Sequence, residues 1–144
     1  MEFKTRTSDP APLIRASFDR QSMMKTLGAS LQRVDPGYVE IAAPILPGSL
    51  QQQGYGHAAL TFAIGDSAAG YAALTLLAPD FEVLTAEMKI NLLAPAAGDR
   101  LIARGQVPKP GQRLIVVQSA VFAATSSGEK QIAALQGTMI PVAA

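Results

Sequence analysis

Asp66 is the only charged residue in the stretch 58–78, which is otherwise apolar and rich in small residues. An ionised carboxylate in such surroundings is strongly disfavoured unless a partner stabilises it. It is therefore either firmly paired or kept for chemistry. Just upstream, Gln51, Gln52 and Gln53 run into Gly54-Tyr55-Gly56-His57 and then Ala58-Ala59. Gly54 and Gly56 let backbone approach a ligand with no Cβ in the way. The start of a helix presents unpaired N–H groups and a partial positive charge, which can stabilise an anion developing on a carbonyl oxygen. Ala59 and Asp66 lie seven residues apart, about two helical turns, and so share a face. A carbonyl held near Ala58 and Ala59 would look along the helix toward Asp66. His57 is about half a turn out of phase with Asp66, which opposes a His–Asp dyad within one straight helix.

The elements that must position these groups follow from the pattern of apolar residues. Residues 1–12 are polar and Pro-containing and read as a flexible N-terminus, followed by a single domain over 13–144. Apolar positions between 13 and 27 suit one or two short amphipathic helices, with Gly28 as a stop. Residues 31–34, the turn Asp35-Pro36-Gly37, and 38–43 read as strand, tight turn, strand. The segment 57–77 is apolar nearly all round, which marks a buried central helix; its alanines and glycines keep it thin enough for close packing, and Pro79 closes it. A membrane span over 58–78 is the alternative. Asp66 near its middle would be costly there, and the strands that follow need an apolar cover.

Four strands are expected after this helix. Residues 83–93 alternate, with Leu84, Ala86, Met88, Ile90 and Leu92 on one face and Thr85, Glu87, Lys89 and Asn91 on the other. A strand over 99–107 ends at Pro108-Lys109-Pro110-Gly111. The stretch 113–124 is nearly continuously apolar and is expected to be covered on both faces, and 130–142 completes the set. The economical packing is α+β: a curved antiparallel sheet wrapped around one long helix.

Composition narrows the chemistry. The chain has 144 residues, a net charge of +1, no Cys and one His. Near-neutral charge without a basic run argues against nucleic acid as partner. Disulfides and thiolate metal sites are excluded, a His cluster cannot be built, and no metal site is expected. The charged N-terminus lacks a secretory apolar core, so a cytoplasmic location with no membrane association is expected.

His57-Ala58-Ala59, then Asp66 and small residues, with Gly54 three residues before the His, resembles the His-Gly-Gly…Asp pattern of hotdog-fold acyl-CoA thioesterases in the PaaI-like, phenylacetate-degradation-related group. The layout is similar over residues 15–142. The resemblance implies that Asp66 is the catalytic nucleophile or general base, and that backbone N–H groups at His57, Ala58 and Ala59 polarise the thioester carbonyl. It implies that Thr85 reaches the reaction centre from a neighbouring subunit, within a homodimer and a homotetramer built as a dimer of dimers. It also puts Gln51 where the family often has Asn or Gln, to position the carbonyl or a water; binding the loop backbone is the alternative. His57 either orients the helix entry or participates directly. Three departures stand out. Ala58 and Ala59 replace glycines, Gly56 replaces an apolar residue, and Gln53 sits where His is frequent.

Further substrate contacts are expected from Gly54, Gly56 and Asn91. Tyr55 and Phe62 are candidates to line an acyl pocket, against the alternative that they only pack. Lys109 and Arg113 flank a Pro-Gly turn suited to coenzyme A phosphates, or are solvated turn charges. The reading is hydrolysis of an aryl- or medium-chain acyl-CoA with no cofactor. Two rivals remain, a non-catalytic acyl-CoA-binding protein and an acyl-thioester dehydratase or hydratase.

Overall fold

The computed structural model describes residues 8–144 and consists of one antiparallel sheet curled around one helix. Two short helices, α1 (Ala11–Arg20) and α2 (Ser22–Thr26), precede β1 (Ser30–Asp35) and β2 (Tyr38–Pro44). The central helix α3 (Ala58–Leu74) follows, then β3 (Phe81–Leu92), β4 (Arg100–Lys109), β5 (Ile115–Thr125) and β6 (Gly128–Ala143). The sheet has six strands in the order β1-β2-β4-β5-β6-β3, so β1 and β3 are its edges. The expected α+β hotdog architecture is the one observed. The expectation of a flexible N-terminus falls largely on residues 1–7, outside those described; Ala11 and Pro12 already belong to α1.

Helix α3 forms because its sequence is dominated by Ala, with no Pro between its first residue and position 79. His57 caps its start, with its Nδ1 accepting the Ala59 N–H at 2.8 Å. At the other end the Thr75 hydroxyl donates to the Ala72 carbonyl and accepts the Gly37 N–H. The helix end is thereby tied to the β1–β2 turn, where Gly37 supplies the positive φ. The helix is 17 residues long, shorter than the expected 57–77. Among the described residues, no helix is long and apolar enough to cross a membrane.

Small residues let α3 sit almost on the sheet. Gly105 in β4 faces the backbone of Ala68, and a Cβ built on Gly105 would come within 2.3 Å of the Ala68 carbonyl carbon. Around this contact Leu60, Ile64, Ala68 and Ala72 pack on Ile41, Leu101, Val117 and Leu135, all buried. Ile14, Phe18 and Met24 of α1 and α2 close the open side of the core.

Two strand expectations need correction. β5 is covered on one face only: Ile115, Val117 and Val121 are buried, whereas Val116 is exposed. Arg113 and Leu114 precede the strand and are exposed. In β3 the alternation is broken by a bulge, because Thr85 pairs with Met139 and Glu87 with Thr138, leaving Ala86 extra. A bulge reverses the facing of everything beyond it. Thr85 thus turns toward α3 while Leu84, opposite Ile140, stands outside at 62% exposure.

Gly105→Ala is expected to lower the unfolding free energy by about 1–3 kcal/mol or more, since the methyl meets backbone that cannot rotate away. Urea denaturation would measure this. An unchanged midpoint would contradict the close seating of the helix.

Candidate active site

Asp66 lies in the middle of α3, two residues before the Gly105 contact, and points toward β3. The Thr85 hydroxyl donates to its Oδ1 at 2.8 Å. No Lys or Arg among the described residues forms an ion pair with it. Burial pushes the carboxyl above its ordinary value of 3.8, and the Thr85 hydrogen bond holds part of that rise back. A half-buried carboxylate with one hydroxyl donor and no cation retains acceptor capacity for a proton. It lines a recess of about 200 Å³ with Thr85, Ser67, Tyr71 and Gln21.

The start of α3 forms a second recess of about 390 Å³, lined by Gln51, Tyr55, Gly56, Ala58 and the Leu93–Ala96 segment. Its backbone donors are mostly engaged. The His57 N–H donates to the Ser49 carbonyl, the Leu60 N–H to the His57 carbonyl, and the Ala59 N–H to His57 Nδ1. Among the described residues, the Ala58 N–H has no such partner. The expected pair of donors at Ala58 and Ala59 therefore reduces to Ala58. His57 serves the helix entry, and its cap puts the neutral ring's proton on Nε2.

The two recesses do not merge within one chain. A residue separation of seven corresponds to a rise of about 10 Å, too far for one carbonyl to touch both Ala58 or Ala59 N–H and Asp66. The expectation of a carbonyl looking along a single helix is thus corrected. Thr85 is corrected too, since it reaches Asp66 of its own chain.

The other candidates divide. The Gln51 side-chain carbonyl accepts the backbone N–H groups of Gln53 and Tyr55, and its amide donates to Gln53, so its oxygen binds the loop. Gly54 supplies a positive φ in that loop. Gly56 is buried against Ala96, which its missing Cβ permits. Tyr55 lines the recess at the helix start. Phe62 is partly exposed on α3 and lines neither recess. Asn91 faces away from α3, in a groove of about 770 Å³ on the outer side of the sheet. Lys109 and Arg113 are exposed by the β4–β5 turn and line neither recess. That outer groove is larger than either recess, but Asp66 and the start of α3 are both absent from its walls. Ser17, Gln21, Ser67 and Tyr71, which surround Asp66, carried no signal in the sequence beyond being common polar residues on amphipathic or apolar helices.

A carboxylate of raised affinity for protons and an unpaired helix-start N–H are the parts an acyl-transfer site uses. The chain matches the Thioesterase superfamily over residues 53–129, more than half its length. It is similar to a thioesterase family protein from Silicibacter pomeroyi, with 38% identity over 94% of this chain and 100% of that one, at a TM-score of 0.91. The PaaI protein of the E. coli phenylacetic acid degradation operon has 21% identity over 92% of each chain, TM-score 0.82. A Haemophilus influenzae thioesterase has 18% identity over 99% of this chain and 96% of that one, also at 0.82. None of the curated proteins is a significant match. The chain belongs to the thioesterase superfamily, and it is a thioester hydrolase.

Carboxyl-carbon NMR is expected to show Asp66 titrating above its ordinary value, with Thr85→Val moving it higher still. A downward move would contradict the assigned bond. The stability linkage has a definite sign. The folded value lies above the unfolded one, so the contribution of Asp66 to stability is complete below the unfolded value and is lost as pH rises through the folded one. Asp66→Asn should therefore gain on the wild type in urea across that window; a gap independent of pH would contradict the raised value.

Proposed function

We propose that the protein hydrolyses an aryl- or medium-chain acyl-CoA at a site assembled from two copies of the chain, with Asp66 of one and the Ala58 N–H of the other. The observation that carries this is the separation of the two groups along one helix, combined with where each opens. The Asp66 recess is bounded by Val83 and Thr85 of β3, and the helix-start recess by Leu92 and Leu93 at its other end. β3 is an edge strand whose outer side has no partner in the sheet. Leu84, Leu92 and Leu93 along it are more than half exposed, at 62%, 55% and 58%. Such an edge invites pairing. Antiparallel pairing of β3 with β3 of a second copy about a two-fold axis sets the Thr85 end of one against the Leu92 end of the other. Asp66 then faces the partner's helix start.

In this arrangement the thioester oxygen accepts the Ala58 N–H. Asp66 takes a proton from water as the water oxygen bonds to the carbonyl carbon, or itself attacks to give an anhydride that water then opens. In either route the carbon–sulfur bond breaks and the thiolate of coenzyme A leaves, to be protonated. A thioester is already activated, so positioning and charge stabilisation suffice and no cofactor is required. Pairing of two such dimers into a tetramer, and a cytoplasmic location, belong to the same reading.

Asp66→Asn is expected to abolish thiol release from acyl-CoA while leaving fold and assembly intact. Unchanged hydrolysis would sink the mechanism, and tight acyl-CoA binding by a wild-type protein that releases no thiol would favour the non-catalytic rival. Ala58→Pro tests the other half. Ala58 is the first residue of α3, where Pro is tolerated, and the extended His57 suits a following Pro. The change deletes the N–H alone and should lower kcat by about 10²–10³. Mixing and refolding the two inactive variants together should restore activity, because a heterodimer holds one site with both groups intact. Absence of any recovery would rule out a shared site.

A further inference from the structure

Two charges stand on the outward face of the β3 edge without an opposite charge to meet. Glu87 and Lys89 are both exposed, two residues apart on one face of the strand. Neither joins an ion pair among the described residues, where Arg33 and Arg104 supply every cation that does. Glu87 is nonetheless held, because the Thr138 hydroxyl donates to its Oε1 at 2.9 Å. On its sheet side Lys89 lies opposite Gln136, whose side-chain oxygen already accepts the Gln118 amide. The free side of β3 is where both charges can still find partners.

A strand that pairs with its own copy about a two-fold axis has few registers open to it. Directly opposite residues share a face, so one residue lies on the axis and its outward neighbours meet outward residues. With Glu87 on the axis the two Glu87 carboxylates oppose each other, and with Lys89 there the two ammonium groups do. Like charges directly opposite destabilise a sheet. Ala86 is the bulge residue, outside the regular ladder. With Ile90 on the axis Lys89 meets Asn91, and Glu87 falls beyond Leu92, the last residue of the strand. Met88 on the axis sets Glu87 against the partner's Lys89, and by symmetry Lys89 against the partner's Glu87. That register alone turns both charges into attractions. Moving the axis by one residue slides one strand by two, about 7 Å, more than a reacting carbonyl can bridge.

We infer that Glu87 and Lys89 set the register of the β3–β3 pairing through two reciprocal ion pairs, with Met88 on the two-fold axis, and so make this edge selective for a second copy of the chain. This rests on the proposal that the site is shared across that edge. The main-chain ladder supplies the attachment; the two charges decide where along the strand it forms.

The chain has no Cys, so introduced thiols report the register directly. Glu87→Cys and Lys89→Cys, refolded together and mildly oxidised, are expected to give a mixed disulfide, since opposite Cα atoms lie about 5 Å apart. The mixed dimer also keeps one ion pair. Either variant alone holds its two thiols with Cα atoms about 8 Å apart, beyond the span of a disulfide without backbone movement. A variant that links to itself as readily as the mixture overturns the register. The charges are tested separately by sedimentation at low salt. Lys89→Glu and Glu87→Lys are each expected to raise the dimer dissociation constant by about tenfold or more, and their equimolar mixture to recover wild-type affinity. Unchanged constants in both variants, or no recovery in the mixture, overturn the role of the charges. Either result with a dimeric wild type leaves the shared site standing in another register. A wild type that sediments as a monomer removes the shared site itself, and this pairing with it.

Discussion

The contact between the Ala68 backbone and Gly105 is the constraint on which the molecule depends. A sheet normally keeps a helix at a distance set by side chains from both; here one partner has none and the other has methyl groups. Because the separation is set by backbone, it leaves little slack along the helix axis. Asp66 and Ala58 are consequently held at fixed heights on the sheet. Larger residues at 65, 68 or 105 would lift α3, and Asp66 would move away from Thr85. The small residues of α3 therefore act as a positioning device for the Asp66 carboxylate.

The bulge at Ala86 has a comparable role. Without it, the residues before and after position 86 would keep one phase, and Thr85 and Met88 could not both face the helix. With it, Thr85 supplies the hydroxyl that steadies Asp66 while Met88 and Ile90 still pack on the core. Leu84 is turned outward as a consequence. Its exposure on an unpaired edge strand is awkward for an isolated chain and natural for one that pairs.

The electrostatics of the site are set by what is missing around Asp66. Among the described residues its one hydrogen-bond partner is a neutral hydroxyl, so the cost of burial is only partly offset and the carboxyl holds its proton more tightly than an exposed one. A Lys or Arg in place of Thr85 would remove that property. The contrast is Arg104, which is clamped between Glu40 and Glu129 on the outer side of the sheet and stacked on Phe122. Such a group, with its partners satisfied, ties strands together.

Local chemistry was legible in the sequence. The buried thin helix, the β1–β2 turn, the run of strands after the helix and the isolation of Asp66 all follow from residue type and spacing, because each depends on neighbours within a few positions. Several features were not legible. Periodicity cannot register an extra residue, so the bulge reversed Leu84 and Thr85 against expectation. Asn91 keeps the face that alternation gave it, with Glu87 and Lys89 on the outer side of the sheet, and is separated from Thr85 by the bulge. A capping side chain competes with ligand for the same N–H, and only the folded loop shows that His57 takes the one at Ala59. The seven-residue spacing of Ala59 and Asp66 gave their common face correctly but not their reach. Distances between groups on one rigid rod are fixed by its rise, whereas the recess each one opens into is fixed by strands far away in the chain. Ser17, Gln21 and Tyr71 come together for that same reason, through packing of α1 on α3 that no local pattern encodes.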